Sequence, residues 1–86
     1  MARALTLQRS IVPPGDRKKF MERLRARRLY YTGVNCQFWV FEESDLPGAY
    51  IEFIEADDED TLAEALAGAP QHFVDAARIY HEVELK

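Results

Sequence analysis

The sequence predicts an α+β domain of order β-α-β-β-α-β. Three observations carry the prediction. Residues 32–56, TGVNCQFWVFEESDLPGAYIEFIEA, hold two strand-like runs around a polar turn. An alternating run of strand length stands near each end of the chain, at residues 4–12 and 77–85. Two helix-like segments, residues 16–31 and an acid-led run ending near Ala67, separate those runs from the hairpin. This order is the split βαβ, or ferredoxin-like, architecture. It implies an antiparallel sheet of strand order 4-1-3-2 with both helices on one face, in a single domain covering residues 1–86.

The first strand is read from residues 4–12. Leu5, Leu7, Arg9 and Ile11 share one face, and Thr6, Gln8 and Ser10 the other. Pro13, Pro14 and Gly15 stop it, because proline cannot donate to a sheet ladder. The first helix follows, with Asp16 as its expected N-cap. Phe20, Met21, Leu24 and Tyr31 form a narrow apolar stripe, with Arg17, Lys18, Lys19, Arg23, Arg25 and Arg27 mainly outside it. Positive charge suits the helix C-terminus and not its N-terminus, so Arg17, Lys18 and Lys19 invite another use. Gly33 is the expected stop.

In the hairpin, Val34, Cys36, Phe38 and Val40 face one way; Asn35, Gln37, Trp39 and Phe41 face the other. Residues 42–48 contain Ser44, Asp45, Pro47 and Gly48, all turn formers. Along residues 49–56, Ile51 and Phe53 oppose Tyr50, Glu52 and Ile54. Asp57, Asp58, Glu59 and Asp60 then open a helix, where carboxylates accept free amides and complement the dipole. Leu62, Ala65 and Leu66 are its inner side, and Gly68 and Pro70 end it. Residues 71–75 read as an extra turn or a loop. In the last strand Ile79, His81, Val83 and Leu85 share a face opposite Arg78, Tyr80, Glu82 and Glu84.

The aliphatic face of each strand is expected under the helices. The open side would then carry Thr6, Gln8, Asn35, Gln37, Trp39, Phe41, Tyr50, Glu52, Ile54, Arg78, Tyr80 and Glu82. That side is too aromatic to leave in water, which predicts a homodimer joined through the open sheet face. Size argues the same way, since an 86-residue chain buries only about 60–65% of its unfolded surface.

Composition narrows the function classes. No run approaches the ~20 apolar residues of a membrane helix, and the first residues show no leader-like apolar core. A single cysteine, Cys36, forbids an internal disulfide, which suits a reducing cytoplasm. The net charge of -4 is unevenly spread. Residues 1–31 hold nine Lys and Arg against two acids, and residues 32–86 hold two against thirteen. Two oppositely charged helices lying side by side on one layer explain this; the alternative is a basic patch for an anionic ligand or nucleic acid.

Residues 49–66, AYIEFIEADDEDTLAEAL, and the following Ala69, Pro70, Gln71, His72 and Phe73 resemble the dimeric α+β barrel superfamily, which includes the antibiotic-biosynthesis-monooxygenase-like proteins. The resemblance spans most of the chain, although a long helix before the last strand is missing. It implies sheet-to-sheet homodimers, some with ligands in a cleft between helices and sheet. The implied function is binding of a small organic molecule, with or without cofactor-independent monooxygenase or isomerase chemistry. A non-catalytic binding or assembly module is the alternative. Residues 48–53 also resemble the third-strand motif of RNA-recognition modules. Pro47 replaces the basic residue before Gly48, the first strand carries no aromatic, and Glu52, Glu82 and Glu84 would face phosphates, so nucleic-acid binding is not expected.

In the enzyme version His72 or His81 is the catalytic proton-transfer group, since imidazole titrates near neutrality. Tyr31 and Trp39 would shape the cavity, and Asn35 or Arg78 would hold a developing oxyanion. Asn35, Trp39, Tyr50, Glu52, Arg78 and Tyr80 form the candidate ligand-binding constellation, whose structural reading is a half-polar dimer interface. No cofactor is expected, for no phosphate-cradling glycine loop occurs. No metal is expected either: Cys36 and His81 fall on opposite edge strands, roughly 14 Å apart at ~4.8 Å per strand.

Overall fold

A computed structural model describes residues 2–70 and 78–85. Its elements are β1 (Ala4–Ile11), a short 3-10 helix (Pro14–Asp16), α1 (Arg17–Gly33), β2 (Gln37–Glu42), β3 (Ala49–Ala56), α2 (Glu59–Ala67) and β4 (Tyr80–His81). The four strands form one antiparallel sheet of order β2-β3-β1-β4, as the sequence predicts.

Each boundary has a local cause. Pro13, at φ -60°, turns the chain out of β1 and into the 3-10 helix. Asp16 stands at the N-cap of α1 but makes no side-chain capping bond. At the other end Gly33 stays helical, and Asn35 takes the left-handed conformation at φ 65°. The amides of Val34 and Cys36 both return to the Tyr31 carbonyl, at 3.1 and 2.9 Å. β2 therefore starts at Gln37 and not at Val34. At α2, the Asp58 carboxylate accepts the Thr61 amide at 2.7 Å, which holds its proton affinity below the usual carboxylate range.

The last strand is shorter than expected. β1 begins at Ala4, and β4 pairs only with Ala4 and Leu5. Beyond His81 the chain outruns its partner, apart from the Glu82 amide donating to the Arg3 carbonyl at 2.7 Å. Ala77 lies outside the described residues.

The face assignments of β1 and β3 are reversed relative to expectation. Thr6, Tyr50, Glu52 and Ile54 are buried beneath the helices. The register places Thr6 beside Ile54 and Gln8 beside Glu52 on that face. Leu5, Leu7, Ile11, Ile51 and Phe53 therefore lie on the open side, with Trp39 and Phe41 of β2, which are placed there as expected. Because side chains alternate with period two, one wrong choice of face moves a strand's whole set. Both faces of this sheet are apolar enough to be covered, so counting aliphatics could not tell inside from outside. Arg27 decides it, because it reaches down from α1 to the carboxylate of Glu52.

Two clusters fill the space under the helices. Tyr31, Ile54, Leu62 and Leu66 belong to one, and Val12, Phe20, Leu24 and Tyr50 to the other. Phe38 packs on both, and its ring stacks on Tyr31 at 6.1 Å between centroids. The β2–β3 turn is pinned to the end of β1, where the Val12 amide donates to the Gly48 carbonyl at 2.8 Å. Gly48 has φ 94°, and a Cβ there would stand 2.7 Å from the Val12 carbonyl oxygen. Gly48→Ala is accordingly expected to lower stability by about 1–3 kcal/mol. Urea unfolding checks it, and an unchanged midpoint would contradict the close approach.

Candidate functional site: a buried ion pair under α1

The sequence of α1 places Phe20, Leu24, Arg27 and Tyr31 on one helical stripe, at spacings of four, three and four residues. Three of them are buried apolar contacts, and the fourth brings a charge to the same face. Arg27 Nη1 donates to both oxygens of Glu52, at 2.8 and 2.7 Å. The Glu52 side chain is wholly buried, and that of Arg27 is 15% exposed. One nitrogen serves both oxygens, so this is a bifurcated contact and not the parallel fork that arginine favours. Burial pushes Glu52 above the ordinary carboxylate range, against the pull of Arg27 and Arg23 in the opposite direction. Such a carboxylate takes up a proton closer to neutrality than a surface one.

Gln8 and Val40 flank Glu52 on the neighbouring strands. Tyr31 lies one turn beyond Arg27, and burial pushes its phenol up to about 12. Thr6, fully buried, donates its hydroxyl to the Arg78 carbonyl at 2.8 Å. Towards the other end of the sheet, Arg17 hydrogen-bonds the Tyr50 hydroxyl and Glu42, and its guanidinium carbon lies 5.8 Å from the centre of the Tyr50 ring. The Gly48 amide and Arg17 together hold Glu42 below the usual carboxylate range.

The residues singled out from sequence fall on different sides of this sheet. Tyr50 and Glu52 are under the helices, which corrects their expected place on the open face. Trp39 and Tyr80 do occupy the open face, each about half exposed. Asn35 is exposed in the turn after α1, and Arg78 is exposed beside β4. The constellation is thus divided by the sheet and does not converge on one point. His81 is at the sheet edge, 62% exposed, with Nδ1 3.2 Å from the Glu59 carboxylate of α2. His72 lies outside the described residues.

Arg27 was expected mainly outside the apolar stripe, and the structure places it on that face. Its place in the 20-24-27-31 stripe was the available signal, and a basic residue there asks for a buried acid opposite. Cys36 is a buried thiol pushed up by burial. Among the described residues no three His, Cys, Asp or Glu side chains cluster as a metal site would require. No described helix is long and apolar enough to cross a membrane.

No protein-family model and no curated protein matches this chain. Among solved structures it is similar to Rv0793 from Mycobacterium tuberculosis, with a TM-score of 0.68 and 17% identity, over 100% of this chain and 97% of that one. At that identity the likeness speaks to architecture. The chain has a ferredoxin-like α+β fold, the architecture it shares with that structure.

Proposed function

We propose that the protein is a homodimeric α+β barrel that binds a small organic molecule, the two protomers meeting through their open sheet faces. The observation that supports it most is the composition of that face. Leu7, Ile51 and Phe53 occupy its middle, with Trp39 and Phe41 beside them and Leu5 and Tyr80 beyond. Trp39, Phe41 and Tyr80 are each about half exposed in the isolated chain. A continuous apolar sheet face of this kind marks a contact surface.

The helix–sheet layer supports the ligand-binding part. A buried arginine–glutamate pair often gives little net stability over apolar residues of similar volume. Titratable groups perturbed by burial and a charged partner, as Glu52 is, occur at functional sites more often than elsewhere. The complete burial of Glu52 favours the second reading, a non-catalytic assembly module whose ion pair fixes the helix on the sheet.

Light scattering coupled to size exclusion tests the dimer. The expected result is twice the chain mass at micromolar concentration, with blue-shifted Trp39 emission. A monomer with fully exposed Trp39 would sink the proposal. Ligand-observed NMR with a panel of small aromatic compounds separates the two readings. Saturation transfer to compounds that also shift the Glu52 side-chain signals supports binding, and no transfer to any compound leaves the assembly module.

A further inference from the structure

A second surface of α1 has been left without a role. Arg17, Met21, Leu24, Arg25 and Arg28 recur on one side of the helix, overhanging the outer edge of β2. Together with Phe38, Val40, Glu42 and Tyr50 they enclose a groove of about 400 Å³. That volume is in the range of small-ligand sites, about 300–1,000 Å³. Its floor is apolar: Leu24 is buried, and Met21, Phe38 and Val40 are half-buried against the Phe20–Tyr50 cluster.

Its rim is cationic. Glu42 is the sole acid in the lining, and Arg17 answers it at 3.2 Å. Arg25 and Arg28 have no hydrogen bond or ion pair among the described residues. They stand on a chain whose net charge is negative, and whose acids lie mostly beyond residue 31. Arginine pairs a carboxylate or sulfonate through two parallel N–H groups and also stacks on flat apolar surfaces.

We propose that this groove binds an amphipathic organic anion, with its acidic group on Arg25 and Arg28 and its apolar body on Met21, Leu24, Phe38 and Val40. The site is distinct from the Glu52 ion pair, since neither Glu52 nor Arg27 lines the groove. It does not require the dimer, since the groove is on the helix side of β2 and the apolar contact face is on the other. Arg17 acts as a fixed wall, held over Tyr50 and already paired to Glu42.

The test uses 2-naphthoate, its neutral counterpart 2-naphthamide and inorganic phosphate, followed by NMR of the full chain at physiological salt. The expected result is that naphthoate shifts the Met21 methyl and the Val40 and Phe38 signals. Naphthamide and phosphate should each bind at least about tenfold more weakly, since each supplies one half of the recognition. Arg25→Gln/Arg28→Gln should weaken naphthoate about tenfold, whereas Lys18→Gln/Lys19→Gln, which removes equal charge from the same helix, should leave it within about twofold. Circular dichroism confirms that both variants keep the fold, as expected for exposed side chains. Equal affinity for naphthoate and naphthamide would overturn the proposal, as would equal effects of the two double variants. So would shifts confined to Phe53 and Trp39 or to Glu52, an outcome that leaves the dimer and the Glu52 layer standing. Absence of naphthoate binding at roughly millimolar concentration would overturn it as well.

Discussion

Arg27→Met is expected to destabilise the fold by about 3–5 kcal/mol, because it leaves a buried carboxylate without its counter-charge. An 86-residue domain has a total stability of only about 4–13 kcal/mol, so the variant would be marginal. The loss should depend on pH. Glu52 has its folded-state proton affinity raised by burial, and removing Arg27 takes away the leading opposing influence. A carboxyl group raised in the folded state contributes stability that is full below its unfolded value of about 4.3 and is lost as pH rises through the folded value. Relative to the parent, Arg27→Met should therefore lose least stability in acid and most towards neutrality. The double variant Arg27→Met/Glu52→Leu removes both charges and should recover to within about 1–2 kcal/mol of the parent without that slope. Urea unfolding across the acid-to-neutral range decides it. Equal stability of Arg27→Met and the parent at neutral pH would mean that the pair carries no weight.

The order of the sheet was legible because its signals are local. Pro13 and Pro14 end a strand, Gly48 and its neighbours make a turn, and the acids before Thr61 open a helix, each without reference to the rest of the chain. The extent of β4 was not, since it depends on where β1 begins: the alternation of residues 82–85 persists after the partner strand has ended. The facing of β1 and β3 was hidden for another reason. Thr6, Tyr50 and Glu52 read as an outer face when taken alone. They become an inner face only once Arg27, Arg17 and the Arg78 carbonyl supply partners from other elements. A polar residue's side of a sheet is fixed by who answers it, and that is a tertiary fact.

The same reversal makes the open face more apolar than the sequence suggested, which sets up the second large effect. Phe53 sits at the centre of that face. Leu7 of β1 and Trp39 of β2 lie directly opposite it on either side, and the Phe41 ring meets it edge-on at 5.9 Å. A carboxylate placed there would be buried against its symmetry mate in a sheet-to-sheet dimer, since a two-fold contact apposes the same patch on both protomers. Phe53→Asp should then weaken association by about 2–4 kcal/mol, roughly thirtyfold to a thousandfold, the range of central interface residues. Trp39→Glu, at a half-exposed position on the edge strand, should act in the same direction with less strain on the monomer. Glu64→Gln, on an exposed side of α2, serves as the control and should change nothing. Light scattering over a dilution series reads the change directly. Thermal midpoints give a second readout: a dimer's midpoint rises with protein concentration, and a monomer's does not. The expected pattern is monomeric Phe53→Asp and Trp39→Glu with intact far-ultraviolet circular dichroism and concentration-independent midpoints. If both variants stay as dimeric as the parent, the open face is not the contact, and its aromatic residues require a different partner.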